Sequence, residues 1–385
     1  MTSTERKFTS VEICAGAGGQ AVGLHEALFK HLALIEIDKH AVATLEENVK
    51  DNAEWDGCQV IEADLTELSP VKLRLDLGLE PGELDLLAGG VPCPPFSVAG
   101  KQLGQDDERD LFPTMLNLVD ELKPKAVMIE NVRGLLDQKF KSYREDVILK
   151  RLDSMEYELC YWKVLEAKDY GVPQLRPRAI LVAIRKKYAK HFLWNEPEKR
   201  PVRTVGDALR ETMWSRFDAV DDPRAEAAYD LWLKKASKGV APTLVGGSKK
   251  HGGADLGPTR AKKAWGDLGV CGLGVANKPE EMTDPDRDLF AAAGPKLTVR
   301  QAATIQGFPE DWQFPGKKTA TYRQVGNAFP PPVARAVGEQ IRAALEAAGV
   351  KARKPELLSS VPAPSVPTGA EPADRSSDLE GAFAG

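Results

Sequence analysis

Residues 8–19 read Phe8-Thr9-Ser10-Val11-Glu12-Ile13-Cys14-Ala15-Gly16-Ala17-Gly18-Gly19. Six residues of strand character run into a glycine-rich turn, and a helical stretch through Leu24, Leu28 and Phe29 follows. Strand, glycine turn and helix is how open α/β sheets hold a nucleotide. The glycines let the backbone approach the ligand, and the helix N-terminus offers free amide groups. Working outward, 32–37, 59–63, 84–88 and 126–129 read as further strands, with helical patterns at 40–49 and 112–122. Such alternation implies right-handed crossovers and a doubly wound, mostly parallel sheet. Runs 157–165 and 179–185 have no helix between them and are expected to pair antiparallel at one sheet edge. Glu36 ends the second strand and is placed to accept from both ribose hydroxyls of a nucleotide; Asp64 ends the third and would reach an adenine amino group. The pattern Gly16-x-Gly18-x-x-Ala21 fits a nicotinamide dinucleotide as well as S-adenosylmethionine, so the turn alone leaves both open.

Of the 385 residues, 42% are hydrophobic and 28% charged, which excludes a wholly disordered chain and allows one large α/β domain with an insert, or two domains. A net charge of -5 excludes a protein basic all over, though not a local basic patch. The five cysteines, Cys14, Cys58, Cys93, Cys160 and Cys271, are odd in number and form no Cys-x-x-Cys pair. Neither a disulfide framework nor a metal site is expected from them. No apolar run approaches the roughly 20 residues of a membrane helix. The opening MTSTERKFTS lacks the apolar core of a signal peptide, so the expectation is a cytoplasmic protein without membrane association. From about 191 the alternation fades into glycine, lysine and turn residues, and a separate loop-rich domain is expected there. Helical patterns return at 299–306 and 333–347. The tail 351–385, with Pro355, Pro362, Pro364, Pro367 and Pro372, reads as disordered.

The strand at 84–88 runs into Gly89-Gly90-Val91-Pro92-Cys93-Pro94-Pro95-Phe96-Ser97. A lone cysteine is more often a small core residue. Prolines on both sides rule out regular core structure here, so Cys93 reads as a nucleophile presented at the mouth of the sheet. The other four cysteines lack that setting and read as structural. Glu130 follows the apolar run 126–129 and should emerge at the same sheet edge. It lies 37 residues after Cys93, one strand–helix–strand unit, so the two fall at adjacent or near-adjacent strand ends.

These residues give the chain its resemblance to the bacterial DNA (cytosine-5) methyltransferases, over roughly 7–347. Glu12–Gly19 resembles the family's cofactor loop, Gly89–Ser97 its nucleophile loop and Glu130–Val132 its acid motif. Gln174–Arg178 resembles its Gln-x-Arg-x-Arg segment, and Arg300–Trp312 and Gln324–Ala334 its last two motifs. Six motifs in order make the match specific. The chain departs from the pattern at Cys14, where the family usually carries an aromatic, and at Pro94, where it often has glutamine.

The resemblance implies an S-adenosylmethionine-dependent methyltransferase sheet with a smaller target-recognition domain. The expected divisions are 7–190 for the catalytic domain, 191–297 for target recognition, 298–347 for a return segment completing the first domain, and 351–385 for the tail. It implies that the Cys93 thiolate adds to carbon 6 of a flipped-out cytosine while Glu130 steadies the ring, with Arg176 and Arg178 contacting the base oxygen or its phosphate. Cofactor contacts are implied for Cys14, Ala15, Gly16, Ala17, Gly18, Gly19, Glu36, Ile37, Asp64, Leu65, Gly90, Pro92, Asn327 and Ala328. No metal is implied; the product would be S-adenosylhomocysteine.

Between Lys234 and Lys263 eight basic residues face one acid, Asp255. This suits phosphate contact, and the resemblance places DNA recognition here. Ser97, Lys249, Lys250, His251, Arg260, Lys262 and Lys263 are the expected DNA-contacting residues. Expected partners are double-stranded DNA and a restriction endonuclease acting on the same site, with the enzyme a monomer associated with the nucleoid through its DNA. Three rivals fit part of the sequence: the same chemistry on transfer RNA, a NAD-linked oxidoreductase, and an inactive DNA-binding regulator.

Overall fold

The computed structural model describes residues 8–92, 110–197, 201–246 and 254–351. Seven strands form one sheet: β1 (Phe8–Ile13), β2 (Phe29–Glu36), β3 (Gln59–Glu62), β4 (Leu86–Gly89), β5 (Ala126–Val132), β6 (Tyr157–Glu166) and β7 (Pro177–Arg185). Their order is β3-β2-β1-β4-β5-β7-β6. β1 to β5 run parallel, whereas β7 lies antiparallel to β5 and to β6. The chain winds outward in both directions from β1, so the crevice of a doubly wound sheet opens at the C-terminal ends of β1 and β4.

Both faces of the central strands are covered, which is why they read as near-continuous apolar runs. Leu87, Val127, Ile129, Leu181 and Ala183 pack on one face, with Met115, Leu116 and Val119 of the helix Phe112–Leu122 above them. Leu86, Ala88, Met128, Ile180 and Val182 pack on the other, against Val337 and Ile341 near the C-terminus. Each fully buried valine, leucine, isoleucine or methionine among them contributes on the order of 1.5–3 kcal/mol.

The helices of the first half are α1 (Gly19–Glu26), α2 (Lys39–Val49), α3 (Pro70–Asp76), α4 (Phe112–Leu122), α5 (Lys150–Ser154) and α6 (Lys186–Ala189). α1 ends three residues earlier than the apolar pattern suggests. Leu28 takes a left-handed φ of 68° and turns the chain, so Phe29 opens β2 rather than closing the helix.

The stretch expected to be loop-rich holds three sizeable helices, α7 (Val205–Asp218), α8 (Ala225–Ala236) and α9 (Thr259–Asp267), with the short α10 (Pro285–Asp288) after them. α7 starts on a capping box in which Thr204 and Asp207 exchange hydrogen bonds. α11 (Val299–Gln306), α12 (Lys318–Asn327) and α13 (Pro331–Ala347) complete the chain. Val205, Leu209, Met213, Trp232 and Trp265 share one buried cluster with Ala15, Ala17, Leu45, Phe308 and Trp312, so the core of the insert is continuous with the cofactor-loop side of the sheet. Among the described residues no helix is long and apolar enough to cross a membrane.

Candidate functional site

Two cavities open along the C-terminal edge of the sheet. The smaller, about 250 Å³, is lined by Cys14, Ala15, Gly16 and Ala17 of the first loop, by Glu12, Gln20 and Glu36, and by Arg323, Gln324, Asn327 and Ala328 of the α12 end. The larger, about 630 Å³, is lined by Gly90, Val91 and Pro92 after β4, by Glu130 and Asn131 of β5, by Arg176 and Arg178, and by residues Thr243 to Gly246 and Asn327. Gly90, Glu130 and Asn327 line both, so the cavities adjoin there.

The first loop is organised by Glu36. One carboxylate oxygen accepts from the Gly16 N–H at 2.7 Å and the other from the Ile37 and Asp38 N–H groups at 2.8 Å each. Cys14 sits in the left-handed region at φ 51°, and burial, then Glu36, Glu12 and Asp64, push its thiol up to about 12. The thiol is therefore protonated at neutral pH. Ile37, Asp64 and Leu65 do not line the smaller cavity. The Asp64 carboxylate instead accepts from the Thr66 N–H and hydroxyl at 2.8 and 2.7 Å. Gly18 and Gly19 lie against Trp312 and Phe329 instead of lining the cavity. Pro92 lines the larger cavity only.

At the end of β5, Glu130 Oε1 pairs with Arg178 Nε at 2.6 Å, both side chains about one-seventh exposed. Strand pairing sets this contact, because Asn131 and Val132 lie opposite Ala179 and Arg178 in the β5–β7 register. A Cβ on Gly90 would stand 3.0 Å from Glu130 Oε2, so only glycine leaves that carboxylate its place. Asn131 follows Glu130 in the same motif. Its side-chain N–H donates to the Val91 carbonyl at 2.8 Å and anchors the segment that leads to Cys93. Cys93 and Ser97 themselves lie outside the described residues.

Arg176 and Arg178 both line the larger cavity but do different things. Arg176 is buried and donates to the carbonyls of Leu244 at 2.7 Å and Gly326 at 3.0 Å, tying the insert and the α12 end to the start of β7. Burial, then the charge of Arg178, brings it down to about 9, which leaves it cationic at neutral pH. Gln174 strengthens the same junction: its Oε1 accepts from the Leu244 N–H at 2.8 Å, and its side-chain N–H donates to Gln306 at 2.7 Å.

Of the basic residues expected to meet DNA, Arg260 and Lys263 are exposed on α9, while Lys262 is half-buried and paired with Asp255 at 2.8 Å. Lys249, Lys250 and His251 lie outside the described residues.

The family model for the C-5 cytosine-specific DNA methylases matches residues 8–343. The chain is 51% identical over 340 residues to the type II methyltransferase M.NaeI of Lentzea aerocolonigenes, covering 88% of this chain and 76% of that one. It is 49% identical over 345 residues to the type II methyltransferase M.NgoMIV of Neisseria gonorrhoeae, covering 88% and 99%. A solved DNA modification methyltransferase encoded within an E. coli prophage has the same fold, with a TM-score of 0.57 and 20% identity over 88% of this chain and 99% of that one.

Proposed function

The chain belongs to the C-5 cytosine-specific DNA methylases, and on that premise we propose that Cys93, Glu130 and Arg178 perform the transfer where its two cavities adjoin. It is an S-adenosylmethionine-dependent DNA (cytosine-5) methyltransferase of the type II restriction–modification kind. The lining of the smaller cavity fits that cofactor: a strand-end carboxylate at Glu36, an open glycine loop, and buried polar atoms of Glu12 and Gln20 that have no protein partner. When bound, the cofactor supplies an electrophilic methyl group. Cys14, Ala15, Gly16, Ala17, Glu36, Asn327 and Ala328 hold it, and the larger cavity receives the extruded cytosine.

Carbon 5 of cytosine is a poor nucleophile until a thiolate adds to carbon 6. Cys93 follows Pro92 directly and supplies that thiolate. Glu130 hydrogen-bonds the ring at N3 and the amino group and carries the proton that the adduct gains at N3. Arg178 fixes the Glu130 carboxylate and presents its remaining N–H groups to the base oxygen or phosphate. Carbon 5, activated in this way, would take the methyl group as the sulfonium–methyl bond breaks and S-adenosylhomocysteine leaves. Loss of the carbon 5 proton and breakage of the sulfur–carbon bond then restore the aromatic ring. The observation that carries this reading is the sharing of Gly90, Glu130 and Asn327 by both cavities: an acid on that boundary is within reach of a base in one and a cofactor in the other.

The insert 191–297 reads the target site, with 7–190 and 298–347 forming the catalytic body. Arg260 and Lys263 supply phosphate contacts from α9, and Ser97, Lys249, Lys250 and His251 supply the rest. The enzyme works as a monomer in the cytoplasm, on the nucleoid, and shields sites cut by a partner endonuclease. A duplex carrying 5-fluorocytosine at the target tests the chemistry, since fluorine cannot leave as a proton does and the adduct stalls. Wild-type enzyme with S-adenosylmethionine should form a denaturant-stable complex; Cys93→Ser should bind the duplex without forming it. Substantial methylation by Cys93→Ser would refute the assigned nucleophile.

A further inference from the structure

The larger cavity has a side that the transfer chemistry leaves unused. Beyond β5 the chain makes two short 3-10 turns, Arg133–Leu136 and Gln138–Phe140, and Gly134, Leu135, Asp137, Lys139 and Phe140 join the lining. At about 630 Å³ the space holds more than a pyrimidine ring, so the sugar and phosphates of an extruded nucleotide lie against its walls as well. Three cationic side chains among the described residues line it: Arg176, Arg178 and Lys139. Arg176 is taken by the Leu244 and Gly326 carbonyls, and Arg178 pairs with Glu130. Lys139 is exposed, and its ammonium stands 4.8 Å from the centre of the Phe140 ring.

A lysine waving in water gains little from an anion, because ordering its long stem costs entropy. Here much of that ordering is in place. Phe140 is buried and gives the ammonium a fixed aromatic floor. The turns beneath are pinned by Arg144, whose Nη1 donates to the Leu135 carbonyl at 2.7 Å and to the Asp137 carbonyl at 2.8 Å. The guanidinium of Arg144 lies 6.0 Å from the Trp162 ring on β6, so it is held in turn. Its charge stands beside Asp137, the one acid on this segment that would oppose an anion. We propose that Lys139 binds a backbone phosphate of the strand that carries the target cytosine. The inference rests on the reading of the larger cavity as the cytosine pocket. This contact comes from the catalytic body, not from the insert, and it sits on the pocket itself. It therefore forms as the nucleotide enters, whereas Arg260 and Lys263 meet the duplex from α9.

Binding titrations of the full chain, with S-adenosylhomocysteine present, on a duplex carrying its methylation site test the contact. Lys139→Gln should weaken binding roughly 10-fold and lower the slope of log K against log salt by about one. Lys139→Arg keeps the charge and should keep the slope. A neutral methylphosphonate, placed in turn at the phosphate on either side of the target cytosine, identifies the partner. At one of these positions wild type should lose about as much as Lys139→Gln loses on ordinary DNA, and Lys139→Gln should lose little more. A salt slope unchanged in Lys139→Gln, or methylphosphonate losses that add in full to its own at both positions, would overturn the contact. The melting temperature and S-adenosylhomocysteine affinity of Lys139→Gln should match wild type; a fall in either would assign the side chain to the fold and overturn the proposal. Failure of wild-type enzyme to form the 5-fluorocytosine adduct would instead overturn the cytosine-pocket reading itself.

Discussion

Two arginines one residue apart have been put to different uses by their partners. Arg176 is spent on carbonyls 68 and 150 residues away, and Arg178 on Glu130. Arg176→Met strips the Leu244 and Gly326 carbonyls of a buried charged donor and should destabilise the protein by roughly 2–5 kcal/mol, read from urea unfolding. Arg178→Ala instead removes a contact on the wall of the larger cavity, where water can enter and solvate the Glu130 carboxylate. It should leave the unfolding curve nearly in place and lower kcat by about 10²–10³. Equal destabilisation by the two variants would show that the division of labour is wrong. Glu12 makes a separate prediction about pH. Burial raises its folded pKa above the unfolded value of about 4.3, so the native state binds the extra proton over the pH range between the two. Its contribution is therefore least harmful below the unfolded value and turns increasingly destabilising as pH rises toward the folded one. Glu12→Gln removes that slope. In thermal melts without cofactor, the variant should gain roughly 2 °C or more over wild type at pH 7.5 and little or nothing at pH 4.

Between elements, the decisive contact is the close approach of the 241–246 segment to the C-terminal end of α12. A Cβ on Gly246 would meet Asn327 Oδ1 at 2.3 Å, and one on Gly326 would meet the Val245 carbonyl carbon at 2.5 Å. Asn327 lines both cavities, so a methyl group at 246 must displace a residue that bounds the two of them. Gly246→Ala should lower kcat/KM by roughly 10-fold or more, since small misplacements in such a site are costly. Gly239→Ala, in the same region with nothing within 4 Å of its Cβ position, should behave as wild type in the same assay. This junction was not legible in the sequence, because it depends on backbone meeting backbone across some 80 residues. What was legible followed from burial. Central strands covered on both faces left runs such as 126–129, and the helix Phe112–Leu122 showed its apolar face at helical spacing. α7 was legible in principle: Val205, Leu209, Met213 and Phe217 recur every fourth residue behind Thr204-x-x-Asp207. The glycine and lysine runs that follow dominated the reading of the whole insert. α9 fully buries only Trp265, and its short apolar face of Ala261, Ala264, Trp265 and Leu268 sits inside a lysine-rich stretch that reads as loop. Glu36, Glu130 and Arg178 stood out because each sits at a strand end. Glu12, Gln20 and Gln324 did not, since each lies inside a regular element and gains meaning only from the cavity they share.

On the scale of the whole molecule, the two edges of one sheet do different work. The C-terminal edge carries the two adjoining cavities and the unpartnered polar atoms of Glu12, Gln20 and Gln324. The opposite edge is knotted shut around Asp85, which is 1% exposed. Its carboxylate accepts from the Thr9 N–H at 2.7 Å and hydroxyl at 3.1 Å and pairs with Lys125 at 2.7 Å, joining the starts of β1, β4 and β5. A parallel sheet cannot be closed by hairpins, so side chains must hold its strand starts in register. Asp85→Ala leaves the buried Thr9 N–H without its acceptor and the Lys125 ammonium with only the Glu83 carbonyl at 2.7 Å, and should cost about 3–5 kcal/mol of unfolding free energy. The same variant, assayed well below its transition temperature, should keep its KM for S-adenosylmethionine and its kcat within about twofold, because the strand ends that frame the site are positioned by their own contacts. Glu130→Gln should do the reverse, leaving unfolding almost unchanged and removing most of kcat. If Asp85→Ala cut kcat as deeply as it cut stability, the strands would be transmitting strain along their length. The site would then have to be treated as a property of the entire sheet rather than of its C-terminal rim.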